Sequence, residues 1–567
     1  MTTRPTAHAV VWLISLLLAV ATVAEPETVF LNATVYTSDD RRPMADAFRV
    51  VDGVFADVGA ADRVLKDAGH GARVVDLSGA TVLPGLIDAH GHLAGLGQLE
   101  VGVIDLAGTT SYERVIELVV ERADEMPEGG WIIGRGWDHE SWPGRELPTH
   151  GLLSEAVPGH PVWLSRVDGH AALGNARAME LAGVSESSVS PDGGEILRDE
   201  SGAPTGVFVD AAEGLVTRVV PADAQGDARA VLLAGQALCV SAGLTGVHDA
   251  GVDPSMVEVY RGLESSGELK LRVHAMMPSP LAPRWFENNE PDRPTGSDRF
   301  AMRAAKAYAD GAMGSRGAWL LEPYEDRPVG PAGEPYVGLA VTEPAEIESL
   351  ARHGLARGYQ VCTHAIGDRA NREVLDAYER AFRDAGLDGA SARFRIEHAQ
   401  LLHPDDVGRF AELGVIASMQ PTHCTSDMRW IEDRVGSDRI AGAYAWQTLL
   451  DSGALIAGGS DFPVESQNPF LGFYAAVTRQ NIDREPRGGW RPGERMTREQ
   501  ALRSMTIDAA YASFDEDRLG SIEIGKRADF VVIDRDVMTC PAWDIPGTVV
   551  LGTWIDGERV YSAPGRR

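Results

Sequence analysis

The chain has 567 residues, of which 83 are acidic and 52 are basic, and its formal net charge is −31. A surface with that charge repels phosphate backbones, so the composition argues against nucleic-acid binding. Hydrophobic residues make up 44% of the chain, which is enough for a large buried core and excludes a disordered protein. The length suits one large α/β barrel with appendages or several ordinary domains.

The N-terminal segment has the features of a targeting sequence. Arg4 supplies a short positive start, and residues 9–24 carry no charged side chain. This apolar run is shorter than the ~20 residues that a membrane-spanning helix needs, and it ends in small residues. We therefore expect residues 1–24 to be a cleaved signal peptide of a bacterial protein that is periplasmic or secreted, with no stable membrane insertion after cleavage. An uncleaved anchor is the alternative.

Eight strand-like runs follow along the chain, and all but one end in histidine or aspartate. The strand ends at the C-terminal face of a parallel α/β barrel carry its active site, so apolar runs that finish in titratable residues fit such a barrel. The pattern predicts the α/β class and a (β/α)₈ TIM barrel over residues 84–511. The eight runs are 86–90, 244–249, 271–274, 303–310, 359–364, 394–398, 415–420 and 455–461.

Two further regions are predicted outside the regular barrel. The interval after the first run is too long for a loop and has strand signals of its own, so residues 93–226 are expected to form a large insertion over the mouth of the barrel. Short strand signals also occur at both chain ends, with turns at Asp52-Gly53 and Asp556-Gly557. We expect residues 25–83 plus 512–567 to pair into one small, discontinuous β-sandwich.

A histidine pair ends the first run. Residues two apart on a strand point to the same face, so His90 and His92 present two imidazoles side by side, with Gly91 leaving room for a bound group. Neutral imidazole is the commonest nitrogen ligand for zinc and similar metals. Histidines that only form hydrogen bonds are the alternative for this spacing alone. Two further histidines and an aspartate at other predicted strand ends favour a metal site; they are His364, His398 and Asp461.

The order His-x-His, Lys, His, His, Asp on eight strands resembles the amidohydrolase superfamily. The accompanying segments resemble its amidohydrolase family 3 branch, which includes N-substituted formamide deformylases. The resemblance runs from about Val29 to Tyr561, although many relatives have a larger residue where this chain has Gly91. The segments that carry it are 134–138, 168–170, 310–315, 364–368, 419–423 and 459–464.

The resemblance implies a binuclear metal centre. Its ligands would be His90, His92, His364, His398 and Asp461, and Lys306 would be a carbamylated lysine that bridges two metals. The cofactors would be two zinc ions per chain, with manganese, cobalt or iron as alternatives, and carbon dioxide for the carbamylation. An ordinary lysine paired with Asp310 is the alternative for Lys306.

The resemblance also suggests catalytic and substrate-binding residues. Asp461 could take a proton from the attacking water and later pass it to the leaving nitrogen. His170 resembles a substrate-contacting histidine and could stabilise the developing oxyanion, although capping a turn is an equal alternative. Trp137 and Arg316 are expected to form pocket walls. Three carboxylates are expected to orient ligands, namely Asp249, Asp310 and Glu397.

These assignments predict a metal-dependent hydrolase that cleaves a non-peptide carbon–nitrogen bond in an N-acyl or N-formyl amine, amide or cyclic amide (EC 3.5 type). A mononuclear heterocycle deaminase of the same fold, with Lys306 unmodified, is one alternative. A catalytically inactive exported binding protein is another, although its site would be expected to have lost ligands. The expected partner is a small-molecule substrate, and the sequence leaves a homodimer open.

Overall fold

The computed structural model describes residues 27–330 and 333–565. The signal peptide expected over residues 1–24 lies outside these ranges. Within them, no helix is long and apolar enough to cross a membrane. The helices of seven or more residues are Leu93–Val101, Tyr112–Glu125, His150–Ala156, Ala176–Ala182, Ala228–Ser241, Pro254–Ser265, Ala282–Asn288, Pro344–Arg357, Asp368–Ala385, Pro404–Leu413, Pro421–Asp427, Ile431–Arg439, Pro469–Thr478 and Arg498–Ser504.

The strands of the described residues form three sheets. In the first half of the chain they are β1 (Thr28–Tyr36), β2 (Met44–Ala45), β3 (Ala47–Val51), β4 (Val54–Gly59), β5 (Arg73–Pro84), β6 (Leu86–Gly91), β7 (Ile104–Asp105), β8 (Ile132–Trp137), β9 (Val162–Arg166), β10 (Ala171–Gly174), β11 (Gly194–Arg198), β12 (Pro204–Asp210) and β13 (Leu244–Ala250). In the second half they are β14 (Arg272–Pro278), β15 (Phe300–Tyr308), β16 (Gln360–Ala365), β17 (Arg395–His398), β18 (Ile416–Met419), β19 (Ile456–Gly458), β20 (Phe530–Ile533), β21 (Val550–Ile555) and β22 (Glu558–Ser562).

The central sheet is a nearly closed barrel of eight parallel strands. Their order is β19-β18-β17-β16-β15-β14-β13-β6, and a parallel bridge between Gly91 and Phe462 joins the two edges. Most residues of these strands are buried, as expected for a parallel sheet that is covered by helices on its outside. Each of the eight predicted runs overlaps one barrel strand, so the predicted α/β class and eight-stranded parallel barrel are confirmed, and the arrangement is consistent with a TIM barrel.

Strands from both chain ends meet in a second sheet. The order is β22-β21-β20-β5-β1-β3-β4, and β20 runs antiparallel to β5, with Phe530 opposite Pro84. Hydrogen bonds join all eight strands of this region into one sheet, because β2 also pairs with β1. An aromatic cluster forms its core, and the cluster consists of Phe30, Phe48, Phe55, Phe530 and Trp554. The pairing thus connects residues that are more than 400 positions apart in the chain.

The third sheet is formed by the part of the chain between the first and second barrel strands. It contains β7 to β12 in the order β11-β12-β10-β9-β8-β7. The helices Leu93–Val101 and Ala228–Ser241 connect it to the barrel and pack backbone against backbone. A Cβ atom on Gly97 would lie 1.9 Å from the Val231 carbonyl oxygen, so only glycine permits this contact. The close packing fixes how the insertion approaches the barrel.

Candidate metal centre and cleft

The structure brings the six predicted ligands together at one end of the barrel. His90, His92 and Lys306 lie at or just beyond the ends of their strands, and His364 and His398 do so on β16 and β17. The imidazole centroids are 4.5 Å apart for His364 and His398, and 5.0 Å apart for His90 and His398. Asp461 follows β19, the last barrel strand in the chain, whereas His90 lies on the first, β6. The ligands therefore come from both ends of the barrel sequence.

Three of these residues form a group that could hold one metal ion. One donor atom from each of His90, His398 and Asp461 lies within 4.8 Å of the other two. Asp461 Oδ1 is also 3.0 Å from His92 Nε2, and it is a buried oxygen without a hydrogen bond of good geometry. Imidazole nitrogen and carboxylate oxygen are the donors that zinc and similar divalent metals take in hydrolases. The residues present therefore fit a divalent metal.

Hydrogen bonds at the second ring nitrogen orient three of the histidines. With Nδ1 held by an acceptor, Nε2 of each ring is left to face the centre. The acceptors are Glu397 Oε2 for His90 (2.5 Å), the Ala250 carbonyl oxygen for His92 (2.9 Å) and Gln420 Oε1 for His398 (2.8 Å). Such contacts fix both the tautomer and the direction of the lone pair.

Burial favours the neutral form of three of these imidazoles, those of His90, His364 and His398, and the neutral form is the one that binds metals. Burial and the nearby Lys306 ammonium lower the pKa of His90 to about 4. Burial also holds the pKa of His364 and of His398 well below the ordinary histidine value. For Asp461, burial opposes ionisation, yet the neighbouring His90 and His92 hold its pKa well below the usual aspartate value. The cluster thus combines neutral nitrogen donors with an ionised carboxylate.

Lys306 lies inside the cluster and does not pair with Asp310. Its Nζ is 3.1 Å from His90 Nε2, and burial lowers its pKa. The Asp310 carboxylate instead accepts backbone N–H groups from Trp319, Ile366 and Gly367. The alternative of an ordinary Lys306–Asp310 ion pair is therefore not what the structure contains.

Glu397 orients His90, as the sequence predicts, and a buried arginine supports it. Arg395 Nε lies 2.7 Å from Glu397 Oε1, and both side chains are fully buried. Burial alone would raise the pKa of Glu397, but Arg395 and His90 hold it well below the usual value. The ionised carboxylate can then accept the His90 Nδ1–H bond at all pH values near neutrality.

The backbone beside the ligands adopts a left-handed conformation that residues other than glycine rarely use. The φ angles are +74° at His398, +44° at Ala399 and +60° at Asp461. Each such residue costs about 1–3 kcal/mol, and such strain concentrates at functional sites.

The expectation that Gly91 leaves room for a bound group is corrected. A Cβ atom on Gly91 would lie 2.5 Å from the Phe462 ring, so this glycine makes room for that ring and not for a bound group.

A cleft opens from the cluster and has two lobes, with volumes of about 260 and 420 Å³. Volumes of this order suit a small molecule. His170 reaches the boundary between the lobes from the insertion, and its ring centroid lies 4.8 Å from that of His364. Both lobes are lined by Asp168, His170, His364, His398, Asp461 and Val464.

His170 is held as a cation by a carboxylate. Its Nδ1 lies 2.6 Å from Asp210 Oδ1. Burial lowers the pKa of His170, but the hydrogen bond and charge of Asp210 outweigh burial and raise it to about 9. The ring therefore offers a charged N–H donor next to the metal-ligand cluster.

Two predicted pocket walls are corrected, since neither residue lines the two lobes. Trp137 is buried in the insertion core, where its Nε1 donates to the Leu164 carbonyl oxygen at 2.7 Å. Arg316 pairs with Asp326 at 2.8 Å and lines neither lobe. Asp249 also binds other groups than the ligands, namely the Leu93 backbone N–H and the Tyr260 hydroxyl.

His423 is a cleft residue that the sequence analysis did not select. Its ring stacks on His398 with centroids 5.8 Å apart, and its Nε2 lies 3.7 Å from Asp461 Oδ2. A signal was present, because His423 ends the 419–423 segment just after the seventh predicted run. Arg135 is a second such residue and lines the larger lobe.

Buried imidazoles and a carboxylate at the C-terminal face of a parallel barrel, open to a cleft of small-molecule size, are the arrangement expected of a metal-dependent hydrolase. The sequence profile of the amidohydrolase family matches residues 73–561. The chain therefore belongs to the amidohydrolase family, which confirms the resemblance found in its motifs.

Similar proteins cover nearly the whole chain. Protein LONG AFTER FAR-RED 3 of Arabidopsis thaliana is 35% identical over 541 residues, which cover 94% of this chain and 91% of that protein. N-substituted formamide deformylase of Arthrobacter pascens is 30% identical over 557 residues, which cover 95% and 99%. An uncharacterized metal-dependent hydrolase from Pyrococcus horikoshii OT3 has a similar crystal structure, with a TM-score of 0.72 and 27% identity over 91% of this chain and 99% of that chain.

Proposed function

We propose that this protein hydrolyses a non-peptide carbon–nitrogen bond in an N-acyl or N-formyl amine, an amide or a cyclic amide. The observation that carries the proposal is the buried group of His90, His398 and Asp461 at the head of a small-molecule cleft. The similarity to a formamide deformylase supports the choice of bond. Water adds across this bond, and the products are a carboxylic acid and an amine or ammonia. For a cyclic amide, the ring opens and both groups remain in one molecule.

The chain's own residues would position and move the protons. A divalent metal, when bound, supplies Lewis-acid activation of water and of the scissile carbonyl. Asp461 would accept a proton from the attacking water and return it to the leaving nitrogen. The cationic His170, held by Asp210, would donate a hydrogen bond to the oxygen on which negative charge develops. His423 lies near enough to Asp461 to influence where that proton resides.

We further propose two zinc ions per chain, with manganese, cobalt or iron as alternatives, and a carbamate on Lys306. Burial lowers the pKa of Lys306 and so favours the neutral amine, which is the form that reacts with carbon dioxide. The position of Nζ near His90 supports the same proposal. The carbamate would supply the anionic oxygens that an ammonium group lacks.

This proposal for Lys306 has a direct test. Lys306→Ala should lose the second metal and most activity, and a short carboxylic acid in the buffer should restore part of both. Elemental analysis and amine release measure the two effects. A fully active Lys306→Ala variant with unchanged metal content would contradict the carbamate.

The second candidate is a mononuclear deaminase of the same fold that releases ammonia from a heterocycle. The single three-residue donor group found among the described residues favours it, because that group can hold one metal by itself. Counting metals per chain separates the two candidates. One metal at full activity would support the deaminase, and two would support the binuclear hydrolase.

We also propose that the protein is exported to the periplasm or secreted after removal of residues 1–24, and that a small-molecule substrate is its partner. N-terminal sequencing of protein expressed in a Gram-negative host tests the export, and an intact Met1 would contradict it. A homodimer remains a prediction from the sequence.

The main test is a hydrolysis screen. Purified protein is loaded with zinc, manganese or cobalt and incubated with N-formyl and N-acyl amines, cyclic amides and amino-heterocycles. We expect amine release from the first two classes, and chelation should abolish it. Ammonia release from heterocycles alone would instead select the deaminase.

A further inference from the structure

Arg135 differs from the other arginines of the cleft because it forms no direct ion pair with any described residue. It lies on β8 of the insertion and lines the larger lobe together with His90, His92 and Lys306. Its Nε is buried without a hydrogen-bond partner. Within residues 27–330 and 333–565, no carboxylate oxygen forms an ion pair with its guanidinium within 4.0 Å.

The arginines of the smaller lobe are neutralised. Arg166 lies 2.8 Å from Asp138 Oδ1 and also pairs with Asp168. Arg429 lies 2.8 Å from Asp138 Oδ2. The other two cleft arginines thus form ion pairs, and Arg135 does not.

The acidic groups whose charges act on Arg135 are Asp461, Asp168 and Glu213, and none of them forms an ion pair with it within 4.0 Å. Asp461 lies 3.0 Å from His92 Nε2, and Asp168 pairs with Arg166. Burial and the nearby Asp210 raise the pKa of Glu213 well above the usual value. The lobe thus contains an arginine that remains charged, although burial lowers its pKa, and that pairs directly with no carboxylate of the described residues.

The turn before His170 lies against this side chain. A Cβ atom on Gly169 would lie 3.4 Å from Arg135 Nη2, which is an ordinary van der Waals distance. The φ of +72° is therefore what favours glycine here, and the guanidinium packs beside the turn. The arginine is held at the wall of the lobe that also contains the metal-ligand cluster.

We propose that Arg135 is an anion subsite and that the substrate is an N-acyl or N-formyl amine that carries a carboxylate. This inference rests on the proposed carbon–nitrogen hydrolysis and deepens it. A guanidinium presents a planar fork of donors that matches a carboxylate with two parallel hydrogen bonds. The lobe volume of about 420 Å³ accommodates an N-acylated amino acid of small size. The substrate carboxylate would supply the direct ion pair that no described residue provides.

The experiment compares two formamides of similar length on the zinc-loaded full chain. N-formyl-β-alanine carries the carboxylate, and N-butylformamide replaces it with an apolar end. The wild type should prefer the acid. Arg135→Gln should lower kcat/KM for the acid by about 10- to 100-fold, mostly through KM, because a charge-assisted bidentate contact is lost. The neutral formamide should be affected by less than about twofold, which also shows that the variant is folded.

Two further variants complete the comparison. Arg135→Lys keeps a positive charge without the fork and should retain part of the preference. Arg316→Gln removes an arginine that lies outside both lobes and should change neither substrate. Equal loss on both formamides in Arg135→Gln and in Arg135→Lys would overturn the subsite and assign Arg135 to the reaction itself. A wild-type preference for N-butylformamide would overturn it as well.

A binding measurement separates this inference from the proposed function. N-formyl-β-alanine is titrated calorimetrically into chelator-treated wild type and Arg135→Gln, so that neither turnover nor metal coordination contributes. Weaker binding by Arg135→Gln supports the subsite even when no formamide is hydrolysed, in which case the proposed reaction fails alone. Equal affinity of the two proteins overturns the subsite.

Discussion

The barrel rim and the insertion contribute differently to the same cleft. The rim supplies the candidate metal ligands from strand ends, where hydrogen bonds and burial fix each ring. The insertion supplies His170 and Arg135, which face the space where a substrate would lie. The candidate metal ligands and the residues that face the substrate space therefore come from different regions of the chain. We expect that a substitution in one region leaves the other intact.

The largest expected effect comes from breaking the rim. His90→Ala should remove bound metal and activity together, because one donor of the three-residue group is lost while the core packing is kept. The loss in metal affinity should exceed the ~10- to 100-fold that loss of an orienting partner costs. Elemental analysis and circular dichroism measure metal and fold. A folded His90→Ala protein with wild-type metal content would remove His90 from the ligand set.

The next effect comes from breaking the insertion side. His170→Ala should lower kcat by roughly 10²- to 10³-fold, as expected when a donor to a developing oxyanion is removed. Metal content should not change, because His170 is not in the donor group. Asp210→Asn is the matched variant, since it keeps the ring but removes the carboxylate that orients it and holds it as a cation. Loss of metal in His170→Ala would show that the rim and the insertion are not separable.

A smaller effect is expected at the support of the rim. Glu397→Gln keeps the shape of the side chain but removes the charge between Arg395 and His90. Metal affinity should fall by about 10- to 100-fold, and excess metal should restore much of the activity. Competition with a metal chelator measures the affinity. Unchanged affinity would mean that His90 is oriented by other contacts.

The smallest effect on catalysis is expected in the insertion core. Trp137→Phe removes the indole N–H bond to the Leu164 carbonyl oxygen and should cost roughly 1–2 kcal/mol of unfolding free energy. Because Trp137 does not line either lobe, kcat/KM should stay within about twofold of the wild type. Denaturant unfolding measures the free energy of unfolding, and substrate kinetics measure kcat/KM. A large rise in KM with unchanged stability would return Trp137 to the pocket wall.

The same comparison explains what the sequence could predict. His90 and His92 follow from the two-residue period of a strand, and the other ligands follow from runs that end in titratable residues. Neither strand periodicity nor the position of strand ends predicted which residues of the insertion face the cleft. Arg135 and Trp137 are two residues apart on β8, yet the pairing register shifts between them and Gly136 has a φ of +109°. This irregularity directs Arg135 to the cleft and Trp137 to the core, and a local sequence pattern does not reveal it.

Contacts between distant segments account for the remaining differences. Phe462 fills the space beside Gly91, and Asp326 engages Arg316. In each case the deciding neighbour comes from another part of the chain. The sequence therefore placed Gly91 and Arg316 near the site, but it did not show which neighbours they contact.

Anomalous diffraction from crystals of the metal-loaded protein tests the central claim most directly. The account predicts a metal peak within coordination distance of His90, His398 and Asp461, with a second peak adjacent to Lys306. Metal bound elsewhere, with density absent between these three residues in catalytically active crystals, would contradict the assignment of the barrel rim as the reaction centre.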